Sequence, residues 1–183
     1  MSSYKVAIKY ARSLLDLASE QNNIDAIAKD ANFVIEVLKS NEKLIRALQS
    51  PIIKSGLKQS ILEDIFLSKV SESFFSFIRF VVQKGRESIL DEILVSFEQL
   101  KNEKLGIAKV DLTTSLEVDD NQLEKIKTTL EKLLSKKVTF DKKIDASIIG
   151  GFVAQVDDKI YDASIKNQLE LMKKQLVKGA ATI

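Results

Sequence analysis

Adjacent glycines at a strand-to-helix joint can hold a phosphate on bare backbone N–H groups. Gly150-Gly151 occupies such a place, within IIGGFVAQVDDKIYDASIKNQLELM from Ile148 to Met172. The pair has neither GxGxxG nor GxxxxGK[ST] context, and no helix follows it directly, so it reads as a bend in a strand rather than a phosphate site. Two acidic pairs, Asp119-Asp120 and Asp157-Asp158, supply the oxygen ligands a hard cation would use, but they lack EF-hand spacing. They read as a helix cap and a polar turn. Lys136-Lys137, Lys142-Lys143 and Lys173-Lys174 lie among acids and read as solvated faces.

The 183-residue chain has no histidine and no cysteine. Without them, Ser-His-Asp and Cys-His triads and nitrogen- or sulfur-ligated zinc sites cannot be built. No catalytic, cofactor-binding or metal-binding residue is assigned. The chain is expected to be a non-enzyme with no small-molecule substrate. Charge is balanced: 15 basic and 14 acidic residues through Leu105, then 13 and 12, with no arginine in the second part. That pattern opposes nucleic-acid binding, which favours an arginine-bearing basic stripe. The start, MSSYKVAIKYARSLLDLA, lacks a secretory h-region, and no stretch approaches the ~20 apolar residues of a membrane span. The chain is expected to be soluble.

Apolar spacing predicts six helices, over 4–18, 24–38, 42–48, 57–66, 72–84 and 88–105, joined by short connections as in a bundle. Gly106 marks a change of texture. GIAKVDLTTSLEV alternates with the period of a half-buried strand, and a helix follows, with Asp119 as N-cap. Val138 and Phe140 alternate again. A strand over 149–156, a turn at 157–159, a strand over 159–161 and a helix from Ser164 complete the pattern. The fold class is mainly α: an N-terminal six-helix bundle over 1–105, then a small α/β domain over 106–183. Ile165, Leu169, Met172 and Leu176 form a stripe about 60° wide, the expected seam between the last helix and its sheet.

The first and fifth helices carry more apolar surface than the others. On the helical projection the first sweeps about 200° and the fifth, ESFFSFIRFVVQK, about 220°. Either both helices are covered on all sides, or the flanks carrying Tyr10, Leu14, Leu17, Phe77 and Phe80 line a groove that accepts a partner's amphipathic helix.

The chain resembles the delta subunit of bacterial F-type ATP synthases, called the oligomycin-sensitivity-conferring protein in mitochondria. The resemblance runs nearly end to end. It rests on YARSLLDLA at Tyr10, FIRFVVQKGR at Phe77 leading into ILDEILVSFEQL, GIAKVDLTTS at Gly106, and the block from Leu134 to Met172 with its I-D-x-S-I-I-G-G hinge. Phe80 stands where the family usually has a smaller aliphatic residue.

The resemblance implies a non-catalytic stator component at the cytoplasmic face of the bacterial inner membrane, in a proton- or sodium-translocating ATP synthase. The first and fifth helices would hold the N-terminal helix of an alpha subunit through Tyr10, Ser13, Leu14, Leu17, Phe77, Phe80 and Val81. The segment 150–172 would meet the C-terminal region of the b subunits. The alternative is a generic helical adaptor unrelated to ATP synthase, which would share the groove but not the C-terminal block.

Overall fold

The computed structural model describes residues 3–156 and 158–180, with side chains through residue 174. They fall into two compact units, residues 1–101 and 102–183.

The first unit is helical. Its elements are α1 (Ser3–Glu20), α2 (Ile24–Ser40), α3 (Glu42–Gln49), α4 (Ser55–Phe66) and α5 (Glu72–Gln83), then a 3-10 turn (Glu87–Ile89) leading into α6 (Leu90–Leu105). Small residues of α1, Ala7, Ala11 and Ala18, let neighbouring helices approach closely. Larger residues fill the rest of the core, including Leu14, Ile27, Leu38, Leu62, Phe66, Phe74, Ile78, Ile93 and Phe97. Phe33 packs edge-on against Phe66 at 6.1 Å.

Two polar devices fix the frame. Asp30 on α2 accepts hydrogen bonds from the Ser71 backbone N–H at 2.9 Å and its hydroxyl at 2.6 Å. A carboxylate is thereby held at the start of α5, where the helix dipole favours negative charge. Deeper, the Lys58 ammonium donates to the Leu48 carbonyl at 2.6 Å and to Glu87 Oε1 at 2.9 Å. Both charged side chains are buried. The pair ties α3 and α4 to the turn before α6, and Glu87 Oε2 has no partner among the described residues.

The second unit is a four-stranded sheet with α7 (Asp120–Leu134) on one face. Its strands are β1 (Ile107–Thr114), β2 (Lys137–Ile144), β3 (Phe152–Val156) and β4 (Lys159–Asp162), in spatial order β2-β1-β3-β4. β1 and β2 are parallel, with Ile107 opposite Lys137, and α7 forms the crossover a parallel pair requires. β3 runs antiparallel to both β1 and β4. Ala108, Val110, Leu112, Val138, Ala154 and Val156 point to the core, where Leu130 of α7 meets them. Asp119 caps α7 as expected, its carboxylate accepting from the Gln122 N–H at 2.7 Å.

Three sequence expectations need correction. The strand expected over 149–156 begins only at Phe152, because Ile149 (φ 67°) and Gly151 (φ 77°) leave extended geometry. Gly150 N–H bonds the Ile148 carbonyl at 2.8 Å, closing a γ-turn on Ile149. The last helix, α8 (Ile165–Ala180), does not use its apolar stripe as a seam on the sheet: Leu169 is 54% and Met172 61% exposed, and Ile165 is exposed as well. The sheet's core face is already filled by α7, while its other face presents Lys109, Asp111, Thr139 and Asp141, which are polar. The Leu176 side chain of that stripe and Asp157 of the turn lie outside the described residues. Finally, in the first unit, the helix expected over 88–105 opens with the 3-10 turn and becomes α-helical at Leu90.

The glycine pair acts through shape. A Cβ at Gly151 would overlap the Ala163 carbonyl oxygen, and one at Gly150 would sit 2.7 Å from Ile165 Cδ1. The missing side chains let the loop lie against the β4–α8 junction, where Ile165 N–H bonds the Gly150 carbonyl at 2.9 Å.

Candidate functional site

The seven residues assigned from sequence lie on α1 and α5, but they do not share one environment. Leu14, Phe77 and Val81 are buried in the helical core. Tyr10 and Leu17 are half-buried, Ser13 is exposed, and Phe80 is 43% exposed. The groove therefore offers less open apolar surface than the projection implied. α5 packs against α2, α4 and the turn preceding α6, so Phe74, Phe75, Phe77, Ile78, Val81 and Val82 are all covered by the chain itself. For most of the wide arc, the all-round-coverage reading holds.

The structure does bring two of the seven together at the surface. The Tyr10 and Phe80 rings face each other across the α1–α5 seam, centroids 6.0 Å apart and planes tilted by 47°. That spacing lies within the favoured range for aromatic pairs. Three turns of α1 present Val6, Tyr10, Ser13 and Leu17 on one flank, and Phe80 stands opposite. Leu14, Phe77 and Val81, on the same two helices, belong to the buried core. The result is an apolar patch with a phenol hydroxyl at its border. Such a patch can seat a hydrophobic side chain and offer it one hydrogen bond. It holds no set of groups that could carry out covalent chemistry.

The sequence reading passed over a cation at this patch. Lys84 Nζ lies 5.5 Å from the Phe80 ring centroid, over its face. The signal was present as an i, i+4 aromatic–lysine pair, Phe80 and Lys84, at the end of a helix. Arg79 stacks similarly over Phe75 at 5.3 Å, but it also has an acidic neighbour, Glu63, at 3.6 Å. α5 ends at once after Lys84. Gly85 (φ 63°) takes the left-handed conformation, its N–H bonding the Val82 carbonyl at 2.9 Å while Arg86 N–H bonds Val81 at 3.0 Å, a Schellman closure.

In the second unit the glycine hinge and α8 expose Ile149, Ile165, Leu169, Leu171 and Met172, while Leu116, Leu133, Ile144 and Ile160 are exposed outside those segments. No helix among the described residues is long and apolar enough to cross a membrane.

A sequence model of the ATP synthase delta (OSCP) subunit family matches residues 6–176. The "ATP synthase subunit delta" of Pelodictyon phaeoclathratiforme is 36% identical over 177 residues, spanning 97% of this chain and 99% of that protein. That of Trichlorobacter lovleyi is 34% identical over 180 residues, spanning 98% and 100%. Among solved structures, a chain of the Toxoplasma gondii mitochondrial ATP synthase hexamer has the same fold, with TM-score 0.71 and 17% identity, covering 93% of this chain and 97% of that one.

Proposed function

The chain belongs to the ATP synthase delta (OSCP) subunit family, and from that premise we propose how its two units do a stator's work. It is a structural subunit of the peripheral stalk of a proton- or sodium-translocating F-type ATP synthase, with no catalytic step of its own. It links the catalytic head to the b subunits, peripheral to the membrane on the cytoplasmic face of a bacterial inner membrane. The head attachment is the α1–α5 surface, taking the N-terminal helix of an alpha subunit. Tyr10 and Phe80 contact that helix, with Ser13 and Leu17 beside them, while Leu14, Phe77 and Val81 hold the floor. The stalk attachment is segment 150–172, taking the C-terminal region of the b subunits. Exposed Ile165, Leu169 and Met172 support that placement.

The task is mechanical. Rotation of the central shaft makes ATP only if the head is prevented from turning with it, so both attachments must hold under torque. Aromatic anchors suit such a joint, because truncating one commonly costs an interface about 2 kcal/mol or more.

The observation carrying this reading is the partly open Tyr10–Phe80 pair on an otherwise closed helical core. Titrating an alpha N-terminal peptide into Tyr10→Ala and Phe80→Asp variants tests it by calorimetry. Each is expected to bind at least about 30-fold more weakly while remaining helical. Unchanged affinity in both variants would remove the groove assignment.

A further inference from the structure

The Tyr10–Phe80 patch has a charge attached to it. On α5 and its C-cap, the positions three and four residues from Phe80 are Ser76, Phe77, Gln83 and Lys84, with no acid among them. On α1, the corresponding neighbours of Tyr10 are Val6, Ala7, Ser13 and Leu14, again without an acid. Lys84 is exposed and makes no ion pair among the described residues, in contrast to Arg79 with Glu63. Its ammonium lies over the Phe80 face, 5.5 Å from the ring centroid, with its other side open to solvent. The Schellman turn at Gly85 ends the helix behind it, fixing where the side chain starts.

We propose that Lys84 is a specificity residue of this surface. It selects a docking helix that carries a carboxylate about one turn from the apolar side chain seated against Phe80. The proposal rests on the groove reading above and adds a charge requirement to it. An ammonium already folded over an aromatic ring loses little further rotamer freedom when a carboxylate arrives. The uncompensated positive charge disfavours a helix presenting lysine or arginine at the same place, so it rejects wrong partners as well as attracting the right one.

The test uses the full chain and the alpha N-terminal peptide at low and high salt. Lys84→Met is expected to weaken low-salt binding about threefold to fivefold and to flatten its salt dependence. Lys84→Glu is expected to weaken it about tenfold or more, and a peptide with one acidic residue changed to lysine should restore it. Phe80→Asp serves as the groove control. If Lys84→Glu binds as wild type with an unchanged salt slope while Phe80→Asp loses binding, charge selection is overturned and the groove stands. If Phe80→Asp also binds as wild type, the groove reading falls, and the charge requirement falls with it.

Discussion

The Tyr10 ring on α1 and the Phe80 ring on α5 have centroids 6.0 Å apart, while Leu14, Phe77 and Val81 on the same two helices are buried in the core. The seven residues that the family resemblance implies thus divide by depth, and depth decides what each substitution does. Leu14→Ala is expected to cost about 2–5 kcal/mol and Phe77→Ala about 3–5, as cavities in a packed core do. Phe80→Ala, at a partly open position, is expected to stay within about 1 kcal/mol of wild type. Urea unfolding curves separate the groups. A Leu14→Ala variant as stable as wild type would contradict the burial found for that side chain.

Lys58 and Glu87 form a second relationship that substitution can expose. Removing one partner leaves a charge buried without compensation, so Lys58→Met and Glu87→Leu are each expected to destabilise the helical unit by about 3–5 kcal/mol. The double variant Lys58→Met/Glu87→Leu removes both charges and keeps volume, and should be more stable than either single change. Chemical denaturation of the three proteins and the wild type forms a closed cycle. A double variant no better than the worse single one would show that a stranded charge is not what weakens the single variants.

At the glycine hinge the expected order of stability is Ile149→Gly, wild type, Gly150→Ala, Gly151→Ala. Gly151 is the least replaceable, because its φ of 77° and the Ala163 carbonyl both oppose a side chain. Gly150 would meet only the movable end of Ile165. Ile149 holds a β-branched side chain at φ 67°, a conformation that costs on the order of 1–3 kcal/mol. Glycine there should recover part of that, roughly 1 kcal/mol after its own entropy loss. Thermal melts rank the four proteins, and any destabilisation by Ile149→Gly would refute the strain.

Two aspartates contribute acid-sensitive stability to the second unit. Asp145 accepts from the Ser147 N–H at 2.9 Å, and that backbone bond, followed by the Ser147 hydroxyl, holds its carboxyl below the ordinary 3.8. Asp162 is lowered chiefly by the Ser164 hydroxyl and then by the Ser164 N–H, which it accepts at 2.9 Å. A carboxylate whose folded value is depressed contributes stability that is complete above its unfolded value and lost as pH falls through the folded one. Stability should therefore decline below about pH 4, and Asp145→Asn/Asp162→Asn should flatten that acid limb, lying below wild type near neutrality and converging with it in acid. Melts across the acid range check this; an unaltered slope in the double variant would count against both bonds.

Most helices were legible because apolar periodicity marks them, and Asp119 announced the cap that α7 uses. What spacing could not convey was which neighbours cover a face. Val81 and Phe80 are adjacent in sequence and both apolar, yet one is sealed by surrounding helices and the other is not. The stripe on α8 was misplaced for the same reason, since α7 had already taken the sheet's apolar side. The start of β3 was misread because a positive φ at Ile149 leaves no trace in residue type. Lys58 and Glu87 escaped notice because buried charges look like surface ones until their partner, distant in sequence, is placed.

The parallel pairing of β1 with β2 has a consequence for how the chain is born. Ile107 must wait for Lys137, so the sheet cannot begin to close until the whole crossover has been synthesised. The helical unit is complete by Lys101, and its packing joins segments that leave the ribosome earlier. A nascent chain arrested soon after the crossover helix would thus carry a finished helical half, followed by a half that is still unstructured.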